Sequence, residues 1–258
     1  GEILCFIDDD VKLSPSWILA IKDAFSNSEV QLATGPSLPI YSKTPPLWLK
    51  YFFEIVKGKG RSCSWLSVID LGNKKRFINP NYVWGLNFCI RKDAFLVLRG
   101  FHPDNIPPAL QMFQGDGETG LTMKAEQSGY KALYHPQIKV DHYIPEERLT
   151  IAYFKKRAFY QGVCNSFTLL RQKYVTGTTE IKFPFLKQIK MQLQPMKKKT
   201  LLIYKLLAPK DIRKIMNELN REEKKGFDFH QAAFENNPKL QEWVLKKDYL
   251  DYKLPLAK

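Results

Sequence analysis

Apolar residues in this chain fall into short runs and helical spacings, separated by polar stretches rich in Gly, Pro, Asn and Lys. The first run, Ile3 to Ile7 in EILCFIDDD, reads as a buried strand whose carboxyl end is acidic. SPSWILAIKDAFSNS places apolar residues at helical spacing, with Ser14 as a candidate N-cap and Pro15 at the first helical position. VQLATGPSLPIY reads as a strand running out into a loop. The three together predict a strand–helix–strand unit with its helix on one face of a parallel sheet. TPPLWLKYFFEIVKG reads as a second helix after two prolines, and Gly58 to Asn81 as a mobile surface loop.

Further along, NFCIR predicts a short strand and KDAFLVLRG a helix closed by Gly100. A polar turn from Gly115 to Gly117 leads into a helix from about Glu118 to Ser128, ended by Gly129. KALYHPQIKVDHYIP gives a strand, a turn and a short strand ending at His142, and RLTIAYFKKRAFYQGVCNSFTLLRQKY a long helix. After about Gly177 the chain turns lysine-rich, helical in pattern and interrupted by Pro184, Pro195 and Pro209. The expected organisation is a domain over 1–178 and a basic helical C-terminal extension over 179–258. The fold class is α/β, a mixed and mostly parallel sheet flanked by helices.

Composition narrows this picture. With 44% hydrophobic and 13% aromatic residues, the 258-residue chain has material for a core, which excludes global disorder. TLLIYKLLA carries a lysine in its middle, so no transmembrane helix is expected; GEILCFIDDD shows no signal peptide. Cys5, Cys63, Cys89 and Cys164 lack metal-ligand spacing and read as reduced thiols of a reducing compartment. A formal net charge of +14 favours anionic partners: phosphates, nucleic acid or a lipid surface.

Four constellations carry candidate chemistry, each with a plainer reading beside it. Asp8, Asp9 and Asp10 at a strand end could share Mg²⁺ or Mn²⁺, which would cancel their repulsion, or could form an acidic loop favouring the following helix. In GDGETG, Asp116 or Glu118 could act as a general base, or both could cap the helix that starts there. His142 in VDHYIP is a candidate metal ligand or a structural histidine. Lys155, Lys156 and Arg157 could clamp a pyrophosphate or form a solvated basic helix face.

In their order along the chain, FIDDDVKLSPSWI, WGLNFCIRKDAFLVLRGFHPD and GDGETGLTMKAEQSGYKALYHP, with V-x-H and a basic aromatic helix, resemble the family 2 glycosyltransferases. The resemblance covers about residues 1–175, with Arg99 standing where the first glycine of that family's G-G-F is usual. It implies an A-type nucleotide-sugar fold, N-terminally truncated, because family members carry further βα units ahead of the D-x-D strand. It therefore also implies either a piece of a longer protein or a half completed by another chain, with an exposed sheet edge and weak nucleotide affinity. The implied reaction is inverting, metal-dependent transfer of a sugar from a UDP- or GDP-linked donor to a hydroxyl acceptor.

The implied roles follow residue by residue. Asp8, Asp10 and His142 hold the metal, with Asp8 and Asp10 on one side of an extended segment. Asp8, Asp9, Asp10, Lys156 and Arg157 contact the donor, and Lys59 to Arg61 close over it. Glu118, aligned with the family's usual aspartate, is the base, with Asp116 as the alternative. Trp84, Gly85, Asn87 and Gly117 lie on the acceptor side, while Asn105 to Met112 and the loop from Gly58 shape specificity. The expected partners are a saccharide or lipid-linked acceptor and, peripherally, the inner face of the membrane, with a cytoplasmic location. Competing readings are an inactive remnant, a basic nucleic-acid-binding module and a nucleotidyltransferase.

Overall fold

The computed structural model describes residues 1–56, 60–175 and 208–255, which form two compact units. The first comprises Gly1–Gly100 and Leu121–Thr150, the second Phe101–Gly120 and Ile151–Lys258. The expected boundary near 178, Pro184, Pro195 and Lys59 all lie outside the described residues.

The first unit holds two sheets. One has the order β1 (Ile3–Ile7), β9 (Asn87–Arg91), β3 (Val30–Thr34), β10 (Lys131–Tyr134), β8 (Arg76–Ile78). The other runs β2 (Val11–Leu13), β11 (Val140–Ile144), β4 (Ser37–Tyr41), β7 (Val68–Asp70), β6 (Gly60–Cys63), β5 (Glu54–Val56). Among the described residues, β10 with β3 and β11 with β4 pair in parallel, and the other seven pairings are antiparallel. The α/β class stands, and the mostly parallel sheet is corrected to two mixed sheets.

The cause lies in the opening unit. β1 and β3 do run the same way, with helix α1 (Trp17–Phe25) between them in sequence, but β9 lies between them in space and is antiparallel to both. α1 buries Trp17, Ala20, Ile21, Ala24 and Phe25 against Val30 and Ala33 of β3 and Cys89 of β9. Each large side chain buried in this way contributes roughly 1.5–3 kcal/mol. The helix begins at Trp17, capped by Ser16, so Ser14 and Pro15 precede it; the Ser14 hydroxyl instead donates to the Gln137 carbonyl (3.0 Å). β1 is an edge strand among the described residues, with Cys5 exposed and Ile7 46% exposed.

Two other expectations change. The helix expected after Pro45 and Pro46 is a 3-10 turn, Leu47–Phe52, running into β5. The expected mobile loop over Gly58 to Asn81 contains β6, β7 and β8 instead. Helix α2 (Lys92–Val97) ends ahead of Arg99 and Gly100, both left-handed at φ 62° and 63°. Arg99 thus adopts a backbone that favours glycine.

The second unit is helical. The unit boundary falls inside α3 (Glu118–Gln127). α4 (Ile151–Tyr174) packs along α5 (Lys210–Asn236), for which Pro209 is the N-cap, and α6 (Pro238–Leu245) follows. Phe113, Phe167, Leu170, Leu240, Trp243 and Tyr249 form its core. Trp243 donates its indole N–H to the Phe113 carbonyl (2.7 Å), and Arg171 binds the carbonyls of Val244 and Lys246 at 2.6 Å each.

Candidate active site

The aspartate run sits where the sequence placed it, at the carboxyl end of β1, but not in an extended segment. Asp9 and Asp10 form a turn into β2, so strand alternation does not set the directions of Asp8 and Asp10. Register does the work instead. β2 pairs antiparallel with β11, Val11 opposite His142, and the Tyr143 N–H donates to the Asp10 carbonyl (2.9 Å). That register brings Asp10 Oδ2 to 3.5 Å from His142 Nε2.

Arg148, in the 3-10 turn Glu146–Leu149, completes the cluster. Its guanidinium lies 3.0 Å from Asp10 Oδ2 and donates to His142 Nε2 at 3.1 Å. A guanidinium only donates, so His142 Nε2 accepts and the imidazole proton sits on Nδ1. Burial pushes the His142 pKa down, with Asp10 partly opposing and Arg148 adding to the fall, so the ring is neutral at pH 7 with a lone pair on Nε2. Asp8 has its carboxyl pushed up by desolvation and then by repulsion from Asp10, which His142 and Arg148 offset in part. Asp9 is exposed in the turn.

Among the described residues, no group of three His, Cys, Asp or Glu side chains converges closely enough to hold a metal ion. Two donors nevertheless suit a hard or borderline divalent cation: the Asp10 carboxylate and the neutral His142 imidazole. Asp10 Oδ1, a buried acceptor, has no hydrogen-bond partner among the described residues, and neither has the His142 Nδ1–H donor. Asp10 Oδ2 and His142 Nε2 are both engaged by the Arg148 guanidinium.

In the second unit, Asp116 is buried and committed. His102 Nδ1 donates to Oδ1 and Thr168 Oγ1 to Oδ2, each at 2.5 Å. Burial alone would raise the Asp116 pKa, but His102, Thr168 and the charge of Arg171 outweigh it and hold the carboxyl low. Its side chain therefore points away from a capping role; only its carbonyl accepts from Thr119 N–H (3.0 Å). Glu118 is the half-buried first residue of α3.

Asn87 is buried, accepting from Trp17 Nε1 (3.1 Å) and donating to the Ile138 carbonyl (2.8 Å), so its amide ties α1 to the sheet. Trp84 donates to the Asn81 carbonyl (3.1 Å), and Gly85 lies in the turn before β9. Gly117 has φ 54°, and a Cβ there would come within 2.7 Å of Asp104 Oδ2. On α4, Lys156 sits 5.6 Å from the centre of the Tyr160 ring, while Arg157 Nε is buried without a partner among the described residues. Arg61 lies in β6, in cation–π contact with Phe53 at 5.6 Å.

Sequence reasoning did not single out Arg148, His102 or Thr168. A lone arginine in PEERLT carries no spacing signal; only the β2–β11 register shows that the turn after β11 returns to Asp10.

No helix among the described residues is long and apolar enough to cross a membrane. No protein-family profile matches the chain. Over 164 residues it is 24% identical to the glucosyl-dolichyl phosphate glucuronosyltransferase of Haloferax volcanii, and over 164 residues 26% identical to the succinoglycan biosynthesis protein ExoM of Rhizobium meliloti. Each alignment covers 63% of this chain, against 49% and 46% of the relatives, so the chain spans about half the length of the curated proteins it matches. The chain is thus similar to a glycosyltransferase and to a polysaccharide-biosynthesis protein.

Proposed function

We propose that the chain is part of an inverting, metal-dependent family 2 glycosyltransferase that moves a sugar from a UDP- or GDP-linked donor to a hydroxyl of a lipid-linked or polysaccharide acceptor at the inner face of a membrane. The observation that carries this reading is the convergence of Asp10 and neutral His142 at the carboxyl end of β1, with Asp10 Oδ1 buried and unpaired among the described residues. The names of the two relatives support the acceptor class, one acting on a glucosyl-dolichyl phosphate and the other in succinoglycan synthesis.

In this reading Asp10 and His142 hold Mg²⁺ or Mn²⁺, and Asp8 lends it negative charge. When bound, the cation offsets the charge that builds on the leaving diphosphate. Glu118 takes the proton of the acceptor hydroxyl as its oxygen bonds to the anomeric carbon. The carbon–phosphate oxygen bond breaks, its electron pair leaves with the nucleoside diphosphate, and the anomeric centre inverts. Glu118 is the base by its alignment with that family's usual aspartate, and Asp116, both of whose oxygens accept hydrogen bonds, is the alternative.

The test is sugar release or transfer from UDP- and GDP-sugars with Mn²⁺, for the parent chain, D10N and H142A. Losing either donor should lower the rate on the order of 10²-fold or more. Turnover that survives both substitutions and EDTA would sink the reading.

A further inference from the structure

Two of the four cysteines face each other across one strand pair. Cys5 in β1 and Cys89 in β9 are register partners in an antiparallel pairing. Residues directly opposite in such a pair send their side chains to the same face of the sheet, with Cα atoms about 4.5–5.5 Å apart. A disulfide spans Cα separations of about 4.4–6.8 Å, so the pairing already holds these two at bonding range. The thiols are in contact as well, the Cys89 S–H donating to the Cys5 sulfur. Cys63 and Cys164 bond backbone groups instead, Cys63 with Leu66 and Cys164 with the Gly115 carbonyl (3.0 Å).

The pair is asymmetric. Cys5 is exposed on an edge strand of the described residues, whereas Cys89 is fully buried in the cluster that α1 covers. The hydrogen bond from Cys89 favours the Cys5 thiolate and lowers its pKa against the opposing effect of burial. That same contact, with burial, pushes the Cys89 thiol well above its ordinary range. The thiolate is the attacking form, so Cys5 is the sulfur that meets an outside reagent first. Once Cys5 is capped its negative charge is gone, and of the causes that raise Cys89 only burial is left.

We propose that Cys5 and Cys89 form a modification site that reacts with a small-molecule disulfide of the glutathione class and closes into a cross-strand disulfide. The Cys5 thiolate attacks one sulfur of the reagent, forming a mixed disulfide and releasing one thiolate. Cys89 then gives up its proton, its sulfur bonds to Cys5 Sγ, and the second reagent thiolate leaves. Two protein thiols are oxidised and one reagent disulfide is reduced; a small dithiol runs the sequence backwards. The new bond fastens β1, which leads into the aspartate run, to β9. None of these steps depends on the metal or the transfer reading above.

The experiment incubates the folded chain with oxidised glutathione, blocks the remaining thiols with iodoacetamide, and weighs the tryptic peptides without reduction. The peptides 1–12 and 77–91 should appear joined, with two of the four thiols lost, and dithiothreitol should separate them. Cys89→Ser should stop with glutathione on Cys5, and Cys5→Ser should leave Cys89 unmodified. Melting curves establish that the variants fold, and Cys89→Ala suits the buried position should the serine not be tolerated there. The parent needs no substitution: glutathione left on Cys5 without a cross-link, or a Cys5 that does not react, would overturn the proposal. So would a cross-link that forms only after the chain is unfolded in urea.

Discussion

Asp116 and Glu118 stand two residues apart, and the proposed transfer assigns the base to Glu118. A base must reach its proton, whereas Asp116 is buried beneath His102 and Thr168. Asp116→Asn should therefore cost stability, about 3–5 kcal/mol if it leaves His102 an uncompensated buried charge, and a thermal melt will show it. Glu118→Gln should lower transfer by ~10²–10⁴-fold. Because the Asp116 pKa is held low in the fold, its contribution is present above the ordinary carboxylate range and lost as pH falls through the folded value. Sequence could place both carboxylates before a helix. It could not say that Asp116 was committed, since His102 and Thr168 are 14 and 52 residues away.

At the scale of elements, β1, α1, β9 and α4 fall where their apolar runs and spacing put them, and α3 where the turn before it and Gly129 after it put it. The misses share a cause. β6, β7 and β8 are GRSC, VID and RFI, too short for alternation to register, and their partners rather than their own residues make them strands. Close packing of α4 on α5 was equally invisible, because the reason is two absent side chains. A Cβ on Gly162 would lie 1.9 Å from the Glu223 carbonyl oxygen, and one on Gly226 2.0 Å from that of Phe159. Backbone meets backbone there, so Gly162→Ala must part the helices and should cost about 3 kcal/mol or more, read as a lower unfolding midpoint in urea.

Glu223, beside that crossing, gives the helix pair a pH dependence. Burial raises its pKa to about 7 despite a hydrogen bond from Asn165 Nδ2 (2.9 Å). The folded state thus keeps a proton that the unfolded chain releases near 4.5, so stability present below that value is lost as pH rises to about 7. The loss is at most about 3 kcal/mol, given some access to solvent. Glu223→Gln keeps an acceptor for Asn165 without the charge, and its advantage over the parent should grow between those two pH values and then level off. A constant difference across that range would locate the effect elsewhere. Comparing the pair cancels His230, whose burial pulls its pKa down to about 4 and which loses stability in the opposite direction, as pH falls.

For the whole molecule the governing quantity is charge. The second unit is discontinuous, with Phe101–Gly120 joining Ile151–Lys258, so no single change of composition along the chain marks it. The net charge of +14, by contrast, is read directly, but it names only a sign: phosphate, nucleic acid and anionic lipid all answer to it. A glycosyltransferase working on a lipid-linked acceptor gives that excess a specific use, since basic residues near an anionic surface contribute ~1 kcal/mol each. Co-sedimentation with phosphatidylglycerol vesicles should then be strong at low ionic strength and weak with phosphatidylcholine alone. Salt should abolish it, because screening shortens the reach of surface charges from about 10 Å at 0.1 M to about 3 Å at 1 M. Binding that is equal on neutral vesicles, or indifferent to salt, would mean that apolar contact and not charge brings the chain to a membrane. Tight salt-sensitive binding to duplex DNA with none to anionic vesicles would instead turn the same charge toward nucleic acid.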